Sequence, residues 1–266
     1  MRALRSLAYQ VYIRYIEVID ERLTGEVLLD EALKMMKVSE RMSVGTWIDL
    51  MSGTYITSII AVADMMIGET WNVMKIGYQL KQVRERLAKG LVDKGVLRTE
   101  KRNFLLFDMA THPVSDPTFK DDVLRRTSAL LSARTAAVPT SEFYSETVRY
   151  RTIRAVCMVC AAFAANVLEN ALVHLGYDAR ESAFAKCDEL MAEFSQWPFG
   201  KPPTAQTAAG LGQGSGGHDA QERSNLAEIS RLARAEAAEG SELQLEIVAA
   251  VLQVYSRMVS LSISVK

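Results

Sequence analysis

Nine basic side chains fall within one short stretch: Lys75, Lys81, Arg84, Arg86, Lys89, Lys94, Arg98, Lys101 and Arg102. Only Glu85, Asp93 and Glu100 oppose them there, on a chain whose formal net charge is −1. The stretch runs directly into Phe104, Leu105, Leu106 and Phe107, four apolar residues in succession. Positive charge concentrated beside an apolar tip suits a surface that meets a polyanion, either a membrane or a nucleic acid.

No other group of residues carries comparable chemistry. Cys157 and Cys160 have CxxC spacing, but no second pair exists and the run around them is apolar, which fits buried core thiols. His112, His174 and His218 lie far apart, and no Ser-His-Asp or metal-ligand spacing includes them. Gly212, Gly214 and Gly217 match GxGxxG only formally, because they sit in a Gly/Ser/Gln-rich stretch with no strand before it. The sequence therefore assigns no catalytic residue and no metal ligand. No cofactor is expected, and the chain does not read as an enzyme.

A length of 266 residues, 49% hydrophobic and 24% charged, allows one large domain or two small ones with an ordinary core. Three cysteines in apolar surroundings indicate a reducing compartment. The amino terminus lacks a clean apolar core and a small-residue cleavage site, so it does not read as a signal peptide. Asp64 interrupts one apolar run, and Asn166, Glu169 and Asn170 interrupt another. Neither reaches the roughly 20 apolar residues of a spanning helix, so any membrane contact should be peripheral.

The elements that must position the basic stretch read as mostly helical. Met1–Arg22, Glu26–Lys37 and Ser43–Met51 are expected helices, with Thr24-Gly25 a turn and Trp47 and Leu50 facing the core. Trp71–Val92 has the clearest periodicity: Ile76, Leu80, Val83, Leu87 and Leu91 form one apolar stripe. Gly95 suits a left-handed cap. Val96–Thr99 and Phe104–Asp108 then read as strands of a hairpin joined at Glu100–Asn103, where Asn103 tolerates a left-handed turn. Asp121–Arg134, Tyr144–Leu175 (the centre of the core) and Arg180–Phe194 are further helices. Lys201–Asp219 is rich in Gly, Pro, Thr and Gln and reads as linker. Leu226–Glu239 is a charged helix. Leu243–Met258 places Leu245, Val248, Leu252 and Tyr255 on one face that packs back on the core. The expected fold is mainly α: a single globular helical domain with a protruding β-hairpin after a basic amphipathic helix.

Several long strings resemble the Golgi phosphoprotein 3 family. They are TGEVLLDEALK at Thr24–Lys34, TWIDLMSG at Thr46–Gly53, the stretch Gly68–Leu97, TEKRNFLLFDMATHPV at Thr99–Val114, NVLEN at Asn166–Asn170 and IVAAVLQVYSRM at Ile247–Met258. The resemblance divides the chain into a non-family segment over 1–16, a family-like domain over 17–199, a flexible linker over 200–225 and carboxy-terminal helices over 226–266. It also marks two departures. Family members carry a longer amino-terminal half, and Thr54–Gly68 stands as 15 extra residues inside the likeness, which fits a retained in-frame intron. A transcript lacking those codons would confirm that origin; a genuine insertion would bring a β-branched run and an aggregation liability.

What the resemblance implies is a fungal-type peripheral adaptor on the cytosolic face of Golgi membranes that binds phosphatidylinositol 4-phosphate. The implied partners are glycosyltransferase cytosolic tails and coat protein complex I in retrograde vesicle transport, with a homo-oligomer allowed and nucleic acid excluded. The headgroup-binding pair carried over is Lys81 and Arg84, three apart on one face of the expected helix. The expected bilayer or oligomer contact is Leu105, Leu106 and Phe107. No residue here matches the pocket's Trp and Arg from the family's amino-terminal half. On the residues alone, two rivals stand beside this reading. One is a winged-helix-like nucleic-acid binder using Lys101 and Arg102 near its wing tip. The other is a truncated, non-functional product.

Overall fold

The computed structural model describes residues 15–52, 77–104, 107–132, 138–145, 147–199, 217–237 and 242–264. The expected mainly α class holds: nine helices and two antiparallel two-stranded sheets occur among the described residues. The chain divides into two compact units, residues 1–115 and 116–266. The expected insertion over 54–68 lies outside the described residues.

In the first unit, β1 (Tyr15–Ile16) pairs antiparallel with β2 (Met42–Ser43), Tyr15 opposite Ser43 and Ile16 opposite Met42. Of the helix expected over Met1–Arg22, residues 1–14 lie outside the described residues and the rest is not helical; Glu17–Leu23 is irregular. An aromatic and a β-branched residue favour the pleat. Beyond them Asp20 accepts the backbone N–H of Arg22 at 3.0 Å and its Nε at 2.9 Å, a local alternative to a helical ladder.

The Thr24-Gly25 turn forms as expected, with Gly25 at φ +84°. Thr24 donates both its N–H and its hydroxyl to Asp30, each at 2.7 Å. Those bonds hold the Asp30 carboxyl below the usual carboxylate range and fix the entry to α1 (Val27–Val38). In α2 (Val44–Ser52), Val44 and Trp47 are buried and Leu50 is half-buried. The Trp47 ring meets Tyr78 edge-on at 5.9 Å.

The basic helix is shorter than its periodicity predicts. Residues 71–76 lie outside the described set, and α3 spans only Val83–Asp93. Leu80 and Lys81 are non-helical, and Gln82 is left-handed at φ 52°. The expected stripe is not a core face: Leu87 is 53% exposed and no residue of α3 is buried. Ion pairs tie α3 to α1 instead, Arg86 to Glu31 at 2.6 Å and Lys94 to Glu26 at 3.1 Å. The Gly95 cap is confirmed at φ +75°, with Val96 N–H on the Leu91 carbonyl and Gly95 N–H on that of Val92. That double bond is the Schellman arrangement, which only a residue tolerant of positive φ completes without strain.

The hairpin has a different register from the expected one. β3 (Glu100–Phe104) pairs with β4 (Phe107–Thr111), from Glu100 opposite Thr111 to Phe104 opposite Phe107. Glu100–Asn103, read as the turn, is strand, and Asn103 faces Asp108 in the ladder. Two residues, Leu105 and Leu106, separate the strands in sequence. A bridge between Leu97 and Val114 continues the pairing at the base.

The second unit packs α4 (Pro117–Ser132), α5 (Arg151–Ala164), α6 (Glu169–Leu172), α7 (Tyr177–Phe194), α8 (Gly217–Glu236) and α9 (Glu242–Ser264). Helix α5 touches α4, α7, α8 and α9, so the expected centre of the core is confirmed. Val156, Val159, Cys160, Leu172, Cys187, Leu190, Phe194, Ile229, Ala249 and Leu252 are at most 2% exposed. The long apolar run breaks after α5 because Asn166, at φ 56°, closes a second Schellman arrangement: its N–H bonds the Phe163 carbonyl and Val167 N–H bonds that of Ala162. On α9 the expected face is present: Leu245 and Leu252 are buried, and Val248 and Tyr255 pack on the core. Of the linker expected over 200–225, residues 217–225 are helical because α8 begins at Gly217, and residues 200–216 lie outside the described residues. Hydrophobic spacing could not mark a helix that opens on Gly, His, Asp and Ala.

Candidate functional site

Lys81 and Arg84 are both exposed, and neither has an ion-pair partner among the described residues. The spacing argument for them is corrected. Lys81 precedes α3, and the left-handed Gln82 separates it from Arg84 in the first helical turn. A non-helical turn, not a shared helix face, sets their separation. The Lys81 carbonyl accepts from Arg86 Nη1 at 3.3 Å, while the Arg86 N–H starts the helical ladder on the Gln82 carbonyl at 2.9 Å.

Three of the other cations are neutralised: Arg86 by Glu31, Lys94 by Glu26, and Arg98 by Glu100 at 4.0 Å. Lys89, Lys101 and Arg102 are exposed and unpaired among the described residues. Lys101 and Arg102 lie within β3, where Arg102 faces Met109, itself 52% exposed. Leu105 and Leu106 lie outside the described residues, and Phe107 opens β4 opposite Phe104. The arrangement offers dispersed cations on one segment and leads into an apolar pair.

The residues set aside for catalysis form no constellation. Cys160 and Cys187 are buried and hydrogen-bonded to each other, and Cys187 Sγ lies 4.0 Å from the Val159 carbonyl. That bond and burial push the Cys160 thiol up. Burial and the neighbouring Cys160 push Cys157 up to about 11, against a small opposing effect of Arg154. Thiols held protonated are poor nucleophiles and poor metal ligands. No group of His, Cys, Asp or Glu able to hold a metal occurs among the described residues. A thiol-reactive dye at neutral pH should therefore label the native protein slowly and all three cysteines rapidly in denaturant; rapid labelling of Cys160 in the native state would contradict this burial. His174 Nε2 lies 3.4 Å from Ser128 Oγ in an exposed pair, His112 is half-buried in its turn, and His218 falls in α8.

The family model described as Golgi phosphoprotein 3 (GPP34) matches residues 7–240. The chain belongs to the Golgi phosphoprotein 3 family. It is 48% identical over 248 residues to the vacuolar protein sorting-associated protein 74 of Schizosaccharomyces pombe, covering 93% of this chain and 65% of that protein. It is 44% identical over 247 residues to the protein of the same name from Eremothecium gossypii, covering 92% of this chain and 65% of that protein. The chain thus spans just under two thirds of the length of these relatives. Lys81, Arg84, the hairpin and α1 to α8 all fall within the Golgi phosphoprotein 3 match. No helix among the described residues is long and apolar enough to cross a membrane.

Three polar contacts escaped sequence reasoning. The bridge from Glu31 through Arg86 to the Lys81 carbonyl has no spacing signature. The grip of Glu236 on the start of α5 joins residues 84 apart in sequence. The pair Asp122 and Arg126 has i,i+4 spacing and was discoverable, but spacing alone does not reveal burial.

Proposed function

We propose that this chain is a peripheral Golgi adaptor that binds phosphatidylinositol 4-phosphate through Lys81 and Arg84. The observation that carries this reading is that both cations are exposed and have no ion-pair partner among the described residues, while Arg86, Lys94 and Arg98 on the same segment are paired. A phosphomonoester takes charge-assisted hydrogen bonds from two such groups. Lys89, Lys101 and Arg102 add attraction to an anionic surface that decays within about 10 Å at 0.1 M salt. Leu105, Leu106 and Phe107 supply the apolar contact. Burying one or two such side chains adds a few kcal/mol, at about 25 cal/mol per Å². Headgroup, charge and apolar contacts then act together, since one weak signal does not hold a protein on a bilayer. The Golgi phosphoprotein 3 likeness supports the rest: the cytosolic face of the Golgi, retention or recycling of glycosyltransferases through their cytosolic tails, coat protein complex I, and self-association. The function is adaptor and not enzymatic, and it involves no nucleic acid. The names of the relatives, which place them in vacuolar protein sorting, are consistent with a trafficking role.

The test is co-sedimentation with vesicles that contain or lack phosphatidylinositol 4-phosphate. The Lys81→Ala/Arg84→Ala variant should bind the lipid-containing vesicles at least about tenfold more weakly, the size of one charged hydrogen bond. Its melting temperature should not change, because both side chains are exposed and have no ion-pair partner among the described residues. Equal binding of the parent chain to any anionic vesicle would refute the headgroup site.

A further inference from the structure

We infer that Arg86, held by Glu31 of α1, is the positioning residue that sets the separation of Lys81 and Arg84; this rests on the headgroup reading above. The Lys81 carbonyl lies one residue upstream of the first acceptor of the α3 ladder, the Gln82 carbonyl. It takes its bond from a side chain instead, Arg86 Nη1 at 3.3 Å. The same nitrogen lies 2.6 Å from Glu31 Oε2, and the Arg86 side chain is only 26% exposed. One guanidinium therefore joins the peptide group after Lys81, its own position in the first turns of α3, and a carboxylate on a second helix.

That joint restrains the only unusual backbone between the two cations. Gln82 sits at φ 52° and ψ 38°, a left-handed conformation that strains a non-glycine residue and persists only where its surroundings hold it. If the Lys81 carbonyl were free, the turn could relax and Lys81 would lose its fixed relation to Arg84. A phosphomonoester that bridges two cations depends on their spacing. Diffuse attraction to an anionic bilayer depends on the sum of charge. Arg86 and Glu31 thus act on selectivity, and Arg86 need not touch the lipid.

Glu31→Gln separates these effects, because it removes a negative charge. Simple electrostatics makes that variant bind every anionic vesicle more tightly. The positioning role makes its preference for phosphatidylinositol 4-phosphate over phosphatidylserine fall about five- to tenfold, the size of one charge-assisted hydrogen bond. Binding to phosphatidylserine vesicles is kept or increased. Arg86→Met should lose the preference as well, and Arg86→Lys should recover part of it, with melting temperatures near that of the parent. A preference that survives Glu31→Gln and Arg86→Met overturns the inference, as does one lost only together with the fold. A parent chain with no preference between the two lipids defeats the headgroup reading itself, and the positioning role with it.

Discussion

Replacing Asp122 by alanine should lower the unfolding free energy of the second unit by about 3–5 kcal/mol, the cost of leaving a buried cation without its partner. Asp122 is 8% exposed and Arg126 5%, and they meet at 2.9 Å. Asp122 also accepts from Arg125 at 2.6 Å and from the Ser141 hydroxyl at 2.7 Å. Arg126 in turn donates to the Tyr144 hydroxyl at 3.0 Å and stacks 4.6 Å from its ring. One carboxylate therefore joins α4 to the segment that holds Ser141 and Tyr144. Without it, the Arg126 guanidinium keeps a neutral oxygen and a ring, which do not replace a charge lost inside the protein. Arg125→Ala should cost under about 1 kcal/mol, because that side chain is 52% exposed and its pair is screened. Chemical denaturation of both variants checks the order; an Asp122→Ala loss no larger than that of Arg125→Ala would show that the contact is not buried in solution.

The same carboxylate gives the stability a pH dependence of known sign. Burial alone would raise the Asp122 pKa, but the Ser141 hydroxyl and the guanidinium groups of Arg125 and Arg126 outweigh it and hold the carboxyl below the usual range. A depressed folded value means that the contribution is fully present above the unfolded value of about 3.9 and disappears as the pH falls through the folded value. The gap in melting temperature between parent and Asp122→Ala should therefore be constant at neutral pH and close only in strong acid. A gap that closed near pH 6 would point to another group.

What could be read from the sequence depended on whether a residue's role was set locally. Leu245, Val248, Leu252 and Tyr255 face the core because helical spacing and apolar character agree there. Gly25 and Gly95 mark turns because few other residues adopt their φ values cheaply. The stripe through Leu80, Val83, Leu87 and Leu91 was legible as a pattern but misleading as structure, since the left-handed Gln82 cuts it and its exposed members pack on no core. No property of glutamine announces that break. The hairpin failed for a related reason: asparagine at 103 is a better turn former than leucine, yet the register leaves Leu105 and Leu106 between the strands. The choice of Lys81 and Arg84 as a charged pair rests on a resemblance, whereas the non-helical turn between them and the bridge from Glu31 are tertiary facts.

Glu236→Ala should destabilise the second unit by about 2–3 kcal/mol, more than an ordinary lost cap, because one carboxylate closes the start of a buried helix. Its oxygens accept the N–H of Thr152 at 2.8 and 3.0 Å and the Thr152 hydroxyl at 2.7 Å, with a longer contact of 3.4 Å from the Ile153 N–H. Thr152 and Ile153 are buried, so water cannot easily take over these donors. No local cap is available, since Tyr150 precedes α5 at φ 59° with no side-chain bond to the helix. The acceptor instead comes from the last residue of α8, and its negative charge suits the positive end of the helix. Glu236→Gln keeps an acceptor but not the charge and should cost about 1 kcal/mol. Amide hydrogen exchange distinguishes this role from a surface one. In Glu236→Ala the Thr152 and Ile153 amides should exchange faster than those in the middle of α5, such as Val159. Uniform acceleration along α5 would mean global destabilisation only, and no acceleration at Thr152 would mean that Glu236 does not cap the helix.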